Sequence, residues 1–236
     1  MILHVPHASR ALRGSFLASP AEIGEELDHL TDAHTDVIAS LAAEMSEESP
    51  WIFRNLWSRL VVDPERFPDE SEEMLRAGMG PVYTHGFAGR RLRDPAPALL
   101  HEHFLPYAES FTAAVDERLA AAGRVVILDV HSYSTEPLPY ELHADGPRPP
   151  VCLGTDDFHT PPALLGAARA AFEGTALNSP FAGCYVPRKH YHRDPRVTAL
   201  MLEIRRDQYM HEPGGEPHDG LDRIAAALAS LIASLP

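Results

Sequence analysis

An α/β fold is what this chain predicts, and three apolar runs carry the prediction. Val125-Val126-Ile127-Leu128-Asp129-Val130-His131-Ser132 begins fully hydrophobic and ends in an acid, an imidazole and a hydroxyl. Short apolar runs of this kind are central strands of a sheet covered on both faces. Ile2-Leu3-His4-Val5-Pro6-His7 is a second run that ends in histidine, and Thr198 to Ile204 is a third, interrupted by the lone acid Glu203. Segments with helical periodicity lie between them, and strands alternating with helices define the class. We expect a single domain over 1–236, a mixed, mostly parallel sheet flanked by helices.

The elements follow in order. After the first strand, Ala8 to Ser19 is rich in turn-forming residues, and Pro20 to Leu30 suits a short helix. Thr31 or Asp32 can cap a longer helix to about Glu48, with Val37, Ile38, Leu41 and Met45 at helical spacing. Trp51 to Asn55 and Ser58 to Asp63 read as strands, the second ended by Pro64. Residues 65–97 form a polar loop rich in Gly and Pro, long enough to be functional. Leu99 to Ala122 is a helix that Pro106 should kink or split. A short strand is expected at Val151 to Gly154, a helix at Pro161 to Phe172 and a final helix at Leu221 to Leu235, whose apolar stripe is core. The Pro-rich stretch from Pro137 to Pro150 reads as a surface loop.

Composition narrows the function classes. A chain of 236 residues with a net charge of −14 lacks the basic field that phosphate binding needs, which excludes a nucleic-acid surface. The first residues hold neither a signal-peptide core nor a membrane span, and two cysteines make no disulfide framework. A soluble cytoplasmic protein with free thiols, acting on a small molecule, is the expectation.

The chemistry gathers at strand ends. Ligands of α/β sheets sit beyond the carboxyl ends of the strands, where Asp129, His131 and Ser132 fall. Asp129 and His131, two residues apart, point to one side, so the acid can orient the imidazole. His7, at the end of another strand, makes a second imidazole available, the arrangement of a zinc site with ligands from separate segments. Asp32, His34 and Asp36 alternate at a helix start and do not all converge, so the third ligand stays open among them, with Asp32 the better placed. Arg59 and Arg66 offer planar forks for a substrate carboxylate. Glu203 needs either a salt bridge to Arg205, Arg206 or Arg59, or a task such as taking a proton from a metal-bound water. No phosphate-binding loop or dinucleotide glycine fingerprint is present, and Ser132 lacks the glycine-flanked elbow of a serine nucleophile.

The order of these motifs resembles the N-formylglutamate amidohydrolase (N-formylglutamate deformylase) family. The resemblance rests on Val5-Pro6-His7-Ala8-Ser9, Thr31-Asp32 with His34 and Asp36, Ser58-Arg59 through Asp63 and Arg66, and Pro106-Tyr107. It continues through Asp129-Val130-His131-Ser132, Gly183-Cys184-Tyr185-Val186, and Leu202-Glu203-Ile204 to Tyr209-Met210. It implies the architecture of zinc carboxypeptidases and aspartoacylase, with His7, His131 and an acid from the Asp32 to Asp36 segment holding zinc or another divalent metal. It also implies Glu203 as general base, and Arg59 and Arg66 on the substrate carboxylate or the scissile carbonyl. The expected reaction is hydrolysis of a small anionic N-acyl amino acid, N-formyl-L-glutamate first, to formate and glutamate. A carboxypeptidase-like or other N-acyl amino acid hydrolase, and a non-catalytic metal-containing binding protein, are the alternatives.

Overall fold

The computed structural model describes residues 1–235. Six strands form one mixed sheet: β1 (Ile2–Val5), β2 (Trp51–Arg54), β3 (Val125–Tyr133), β4 (Val151–Gly154), β5 (Thr175–Leu177) and β6 (Val197–Arg205). Their spatial order is β2-β1-β3-β6-β4-β5. The first four strands in that order run parallel, and β4 pairs antiparallel with β6. The carboxyl ends of β1, β3 and β6 therefore open at one edge of the sheet.

Among the described residues, five α-helices complete the fold: α1 (Pro20–Leu30), α2 (Thr35–Met45), α3 (Leu105–Ala122), α4 (Pro162–Ala171) and α5 (Gly220–Ser234). Strand alternation sends Leu3, Val5, Leu128, Val130, Leu200 and Leu202 to one face, where they pack with residues of α2, α4 and α5. Ile2, Val125, Ile127, Val197 and Ala199 take the other face, against Phe111, Val115 and Leu119 of α3. A third apolar cluster joins Ile23 and Leu27 of α1 to Leu60, Met79, Tyr83 and Leu92, and gives the loops beyond the sheet edge a core of their own.

Local chemistry explains the boundaries. Ser19 accepts from the Glu22 amide while the Glu22 carboxylate accepts from the Ser19 amide, a capping box with Pro20 in the first turn of α1. Pro106 splits the expected long helix: one wide turn at Leu100–Phe104 leads into α3, which has this proline at its start.

Two boundaries differ from expectation. Helix α2 starts at Thr35, because His34 adopts a left-handed conformation with φ of 65° and breaks the turn. Thr31 and Asp32 thus lie ahead of the helix rather than capping it. Ser58 to Asp63 is a pair of tight turns, not a strand: the Val61 amide donates to the Ser58 carbonyl at 2.8 Å and the Leu60 amide to Ser58 Oγ at 3.1 Å. Leu60, Val61 and Val62 are buried there without any ladder.

Both cysteines are unpaired. Among the described residues no helix is long and apolar enough to cross a membrane.

Candidate active site

A cavity of about 540 Å³ opens at the carboxyl edge of the sheet, and His7, Asp32, Arg59, Arg66, His131, Ser132 and Glu203 all line it. Three of the elements that supply them are strands. His7 follows β1 by two residues, His131 and Ser132 close β3, and Glu203 lies near the end of β6. A fourth is the segment before α2, tied to the first by the Asp32 amide donating to the His7 carbonyl at 3.1 Å, and a fifth is the turn segment 58–66 that carries Arg59 and Arg66.

His7 and His131 face each other through their Nδ1 atoms at 3.2 Å. Asp32 Oδ2 lies 3.1 Å from His131 Nδ1 and 3.6 Å from His7 Nδ1. Its other oxygen is held by Arg206 Nη2 at 3.3 Å, and Arg206 also donates through Nε to Ser132 Oγ at 3.2 Å and through Nη1 to the His29 carbonyl at 2.6 Å. The guanidinium therefore aims one Asp32 oxygen at the two imidazoles.

The far edges of the imidazoles meet more carboxylates. His7 Nε2 donates to Asp63 Oδ1 at 2.9 Å, and Asp63 Oδ2 accepts from Arg59 Nη2 at 2.8 Å and from the Tyr83 hydroxyl at 2.7 Å. His131 Nε2 lies 3.0 Å from Asp129 Oδ1 and 3.2 Å from Glu65 Oε2, neither in line for a hydrogen bond. Asp129 also accepts from His4 Nδ1 at 2.9 Å, and His4 Nε2 is hydrogen-bonded to the Tyr107 hydroxyl at 2.6 Å. Two mixed groups with one candidate ligand atom per residue within 4.8 Å of one another are His7, Glu65, His131 and His4, Glu65, Asp129.

Glu203 is the register partner of His131 across β3 and β6, and its Oε2 is buried with no hydrogen-bond partner. The salt bridge weighed for it does not form: Arg206 pairs with Asp32, Arg59 with Asp63 and Arg205 with Asp207.

Electrostatics follow from this crowding. Burial pushes the Glu203 carboxyl up to about 8, against the opposing pull of His131. Burial acts the same way on Asp32, Asp63 and Glu65, but the neighbouring imidazoles outweigh it and hold all three below the usual carboxylate range, with Arg59 adding to the effect on Asp63. Burial would lower His131, yet Asp129 and Glu65 raise it well above its ordinary value. Five acidic side chains thus stand around two imidazoles and three guanidiniums, with opposite charges closely paired.

The spacing of His7, His131 and Asp32 suits a bound metal ion. Ligand atoms about 2.0–2.1 Å from a tetrahedral ion stand roughly 3.3 Å apart, and the three distances among His7 Nδ1, His131 Nδ1 and Asp32 Oδ2 bracket that value. Glu65 approaches on the opposite, Nε2, edge, where Asp63 and Asp129 already stand in the place of the outer carboxylates that orient metal-binding histidines.

A family model described as N-formylglutamate amidohydrolase matches residues 1–210. The chain belongs to the N-formylglutamate amidohydrolase family. Its members' name places the chain among hydrolases of amide bonds. The crystal structure of an N-formylglutamate amidohydrolase from Ralstonia eutropha is similar over 98% of this chain and 91% of that one, with a TM-score of 0.81 and 20% identity. A gene product of Agrobacterium tumefaciens is similar over 98% and 88%, with a TM-score of 0.64 and 20% identity. At such identity the likeness is one of fold. No curated protein matches the chain.

The two other candidates for third ligand lie apart from the cluster of His7, Asp32 and His131. His34 Nε2 is bonded to the Gly215 carbonyl at 2.9 Å, and Asp36 pairs with Arg54 at 3.1 Å. Sequence reasoning missed Asp63, Glu65, His4 and Arg206 as site residues. Their signal was present in part, since Asp63 to Arg66 and the segment after Glu203 belong to the motifs, but their roles depend on partners distant in sequence.

Proposed function

We propose that the protein is a metal-dependent amidohydrolase of small N-acyl amino acids, with N-formyl-L-glutamate, the compound in the family's name, as the reference substrate. The observation that carries this reading is the convergence of His7 Nδ1, His131 Nδ1 and Asp32 Oδ2 beside the unpartnered Glu203 carboxylate.

His7, Asp32 and His131 would hold the ion, and two imidazoles with one carboxylate suit zinc. When bound, the ion supplies acidity to a water and polarisation to the scissile carbonyl. Glu203 takes the proton of the attacking water and returns it to the leaving amine; a carboxyl lifted toward neutral pH is matched to both transfers. Arg59, anchored by Asp63 and Tyr83, offers its positive charge to the oxygen that gains charge as the carbonyl is attacked. Arg66 lines the same cavity, held 3.4 Å from Asp63 Oδ2 and 3.5 Å from Glu72 Oε1, and is the second guanidinium offered to the substrate carboxylate. Ser132 contributes a hydroxyl held by Arg206.

Glu203→Gln tests the assignment. Formate release from N-formyl amino acids should fall by about 10²–10⁴-fold, while bound metal per chain stays as in the parent protein. Undiminished turnover would remove Glu203 from the mechanism.

A further inference from the structure

His4 has no part in the chemistry assigned so far, yet it is fully buried in β1 as the register partner of Asp129 on β3. A polar ring buried in a strand is costly unless its nitrogens are paired. Both are: Nδ1 donates to Asp129 Oδ1 at 2.9 Å, and Nε2 is bonded to the Tyr107 hydroxyl of α3 at 2.6 Å. The ring also stacks on Phe111 and Tyr185, with centroids 4.4 Å and 5.1 Å away. Two hydrogen bonds and two stacking partners fix its orientation.

Asp129 in turn stands against His131. Its Oδ1, held by His4, is 3.0 Å from His131 Nε2, so one carboxylate oxygen lies between two imidazoles. Glu65 repeats the arrangement, with Oε1 at 3.4 Å from His4 Nδ1 and Oε2 at 3.2 Å from His131 Nε2. His131 Nε2 is buried and has no hydrogen bond in line. The two carboxylates therefore steer this ring by charge and closeness, and their effect depends on where they are held.

Resting on the reading of His7, Asp32 and His131 as metal ligands, we propose that His4 is a positioning residue for the metal centre. It holds Asp129, and with it Glu65, against the Nε2 edge of His131, so that Nδ1 of that ring is aimed at the ion. Carboxylates in this place orient a metal-binding imidazole and strengthen it as a ligand. Tyr107 anchors the far end of the chain from α3. His4 lies outside the lining of the cavity, so its loss is felt as metal affinity.

The test measures zinc affinity, by competition with a chromophoric chelator, in the parent protein and in two variants that each keep one end of the ring. His4→Gln places its amide near the Nε2 position and loses the donor to Asp129, whereas His4→Asn keeps a donor near the Nδ1 position. Affinity should fall about 10–100-fold in His4→Gln and stay within about threefold of the parent in His4→Asn. Joined to Asp129→Asn, His4→Gln should cost less than the sum of the two, because it acts through that carboxylate. Tyr107→Phe keeps the ring packing and frees only His4 Nε2, so it reads the same chain should His4→Gln fail to fold; a loss of about fivefold is expected. Parent-like affinity in His4→Gln or Tyr107→Phe, equal losses in His4→Gln and His4→Asn, or full additivity with Asp129→Asn overturns the inference and leaves the amidohydrolase reading standing. A parent protein that takes up no zinc removes the metal reading and this inference with it.

Discussion

Glu203 and His131 stand side by side on adjacent parallel strands, register partners on the sheet face that also carries Asp129. The pairing delivers a carboxylate to an imidazole with no loop between them, so packing of the sheet core fixes their relation. Beyond Glu203, β6 runs into Arg206, which turns back to hold Asp32. One short segment thus supplies both the proposed base and the support of a proposed ligand.

Arg206 should act through metal affinity. Arg206→Gln leaves Asp32 Oδ1 without its charged partner, and outer-sphere losses of this kind weaken metal binding about 10–100-fold. Competition with a chromophoric chelator measures it. Unchanged affinity would mean that Asp32 does not reach the ion.

Glu203 makes folding stability depend on pH in a definite sense. Its carboxyl rises from 4.5 to about 8 on folding, so the metal-free folded chain keeps a proton that the unfolded chain releases. The associated stability is complete below the unfolded value and is lost as pH climbs through the folded one. Thermal melts of metal-free Glu203→Gln and parent protein should therefore diverge between about pH 5 and about pH 8.5, with the variant gaining on the parent as pH rises. A constant difference would show that folding does not raise this carboxyl.

Arg66→Ala should raise KM about 10–100-fold for carboxylate-bearing substrates with kcat within a few-fold, the pattern of lost ground-state binding. An equal fall in kcat and kcat/KM would place Arg66 on the reacting carbonyl instead.

The thiols should be inert in the folded protein. Burial pushes the Cys184 thiol up to about 12 and also raises Cys152, which removes the reactive thiolate at ordinary pH. Iodoacetamide at about pH 8 should label neither until the chain is unfolded; rapid native labelling would contradict their burial.

Much of this was legible in the sequence because it depends on single runs. The strands ending in His7 and His131, and the acid interrupting the run to Ile204, are visible as local patterns. Ser58 to Asp63 misled because Leu60, Val61 and Val62 are buried without any ladder, Leu60 in the loop core, and apolarity alone does not tell the two situations apart. Asp32 looks like a helix cap, and only the left-handed His34 releases it toward the imidazoles. β5 is three residues long and half-buried, too short for a pattern. His4, Asp63 and Arg206 gain their roles from partners 125, 56 and 174 residues away, which no spacing rule reaches.

The most direct test of the central claim follows formate release from a panel of N-formyl amino acids before chelation, after chelation and after zinc is restored, with metal content measured at each stage. The account predicts turnover that vanishes with the metal and returns with zinc in the parent protein, but does not return in His131→Ala. Undiminished release from protein shown to be metal-free would contradict it.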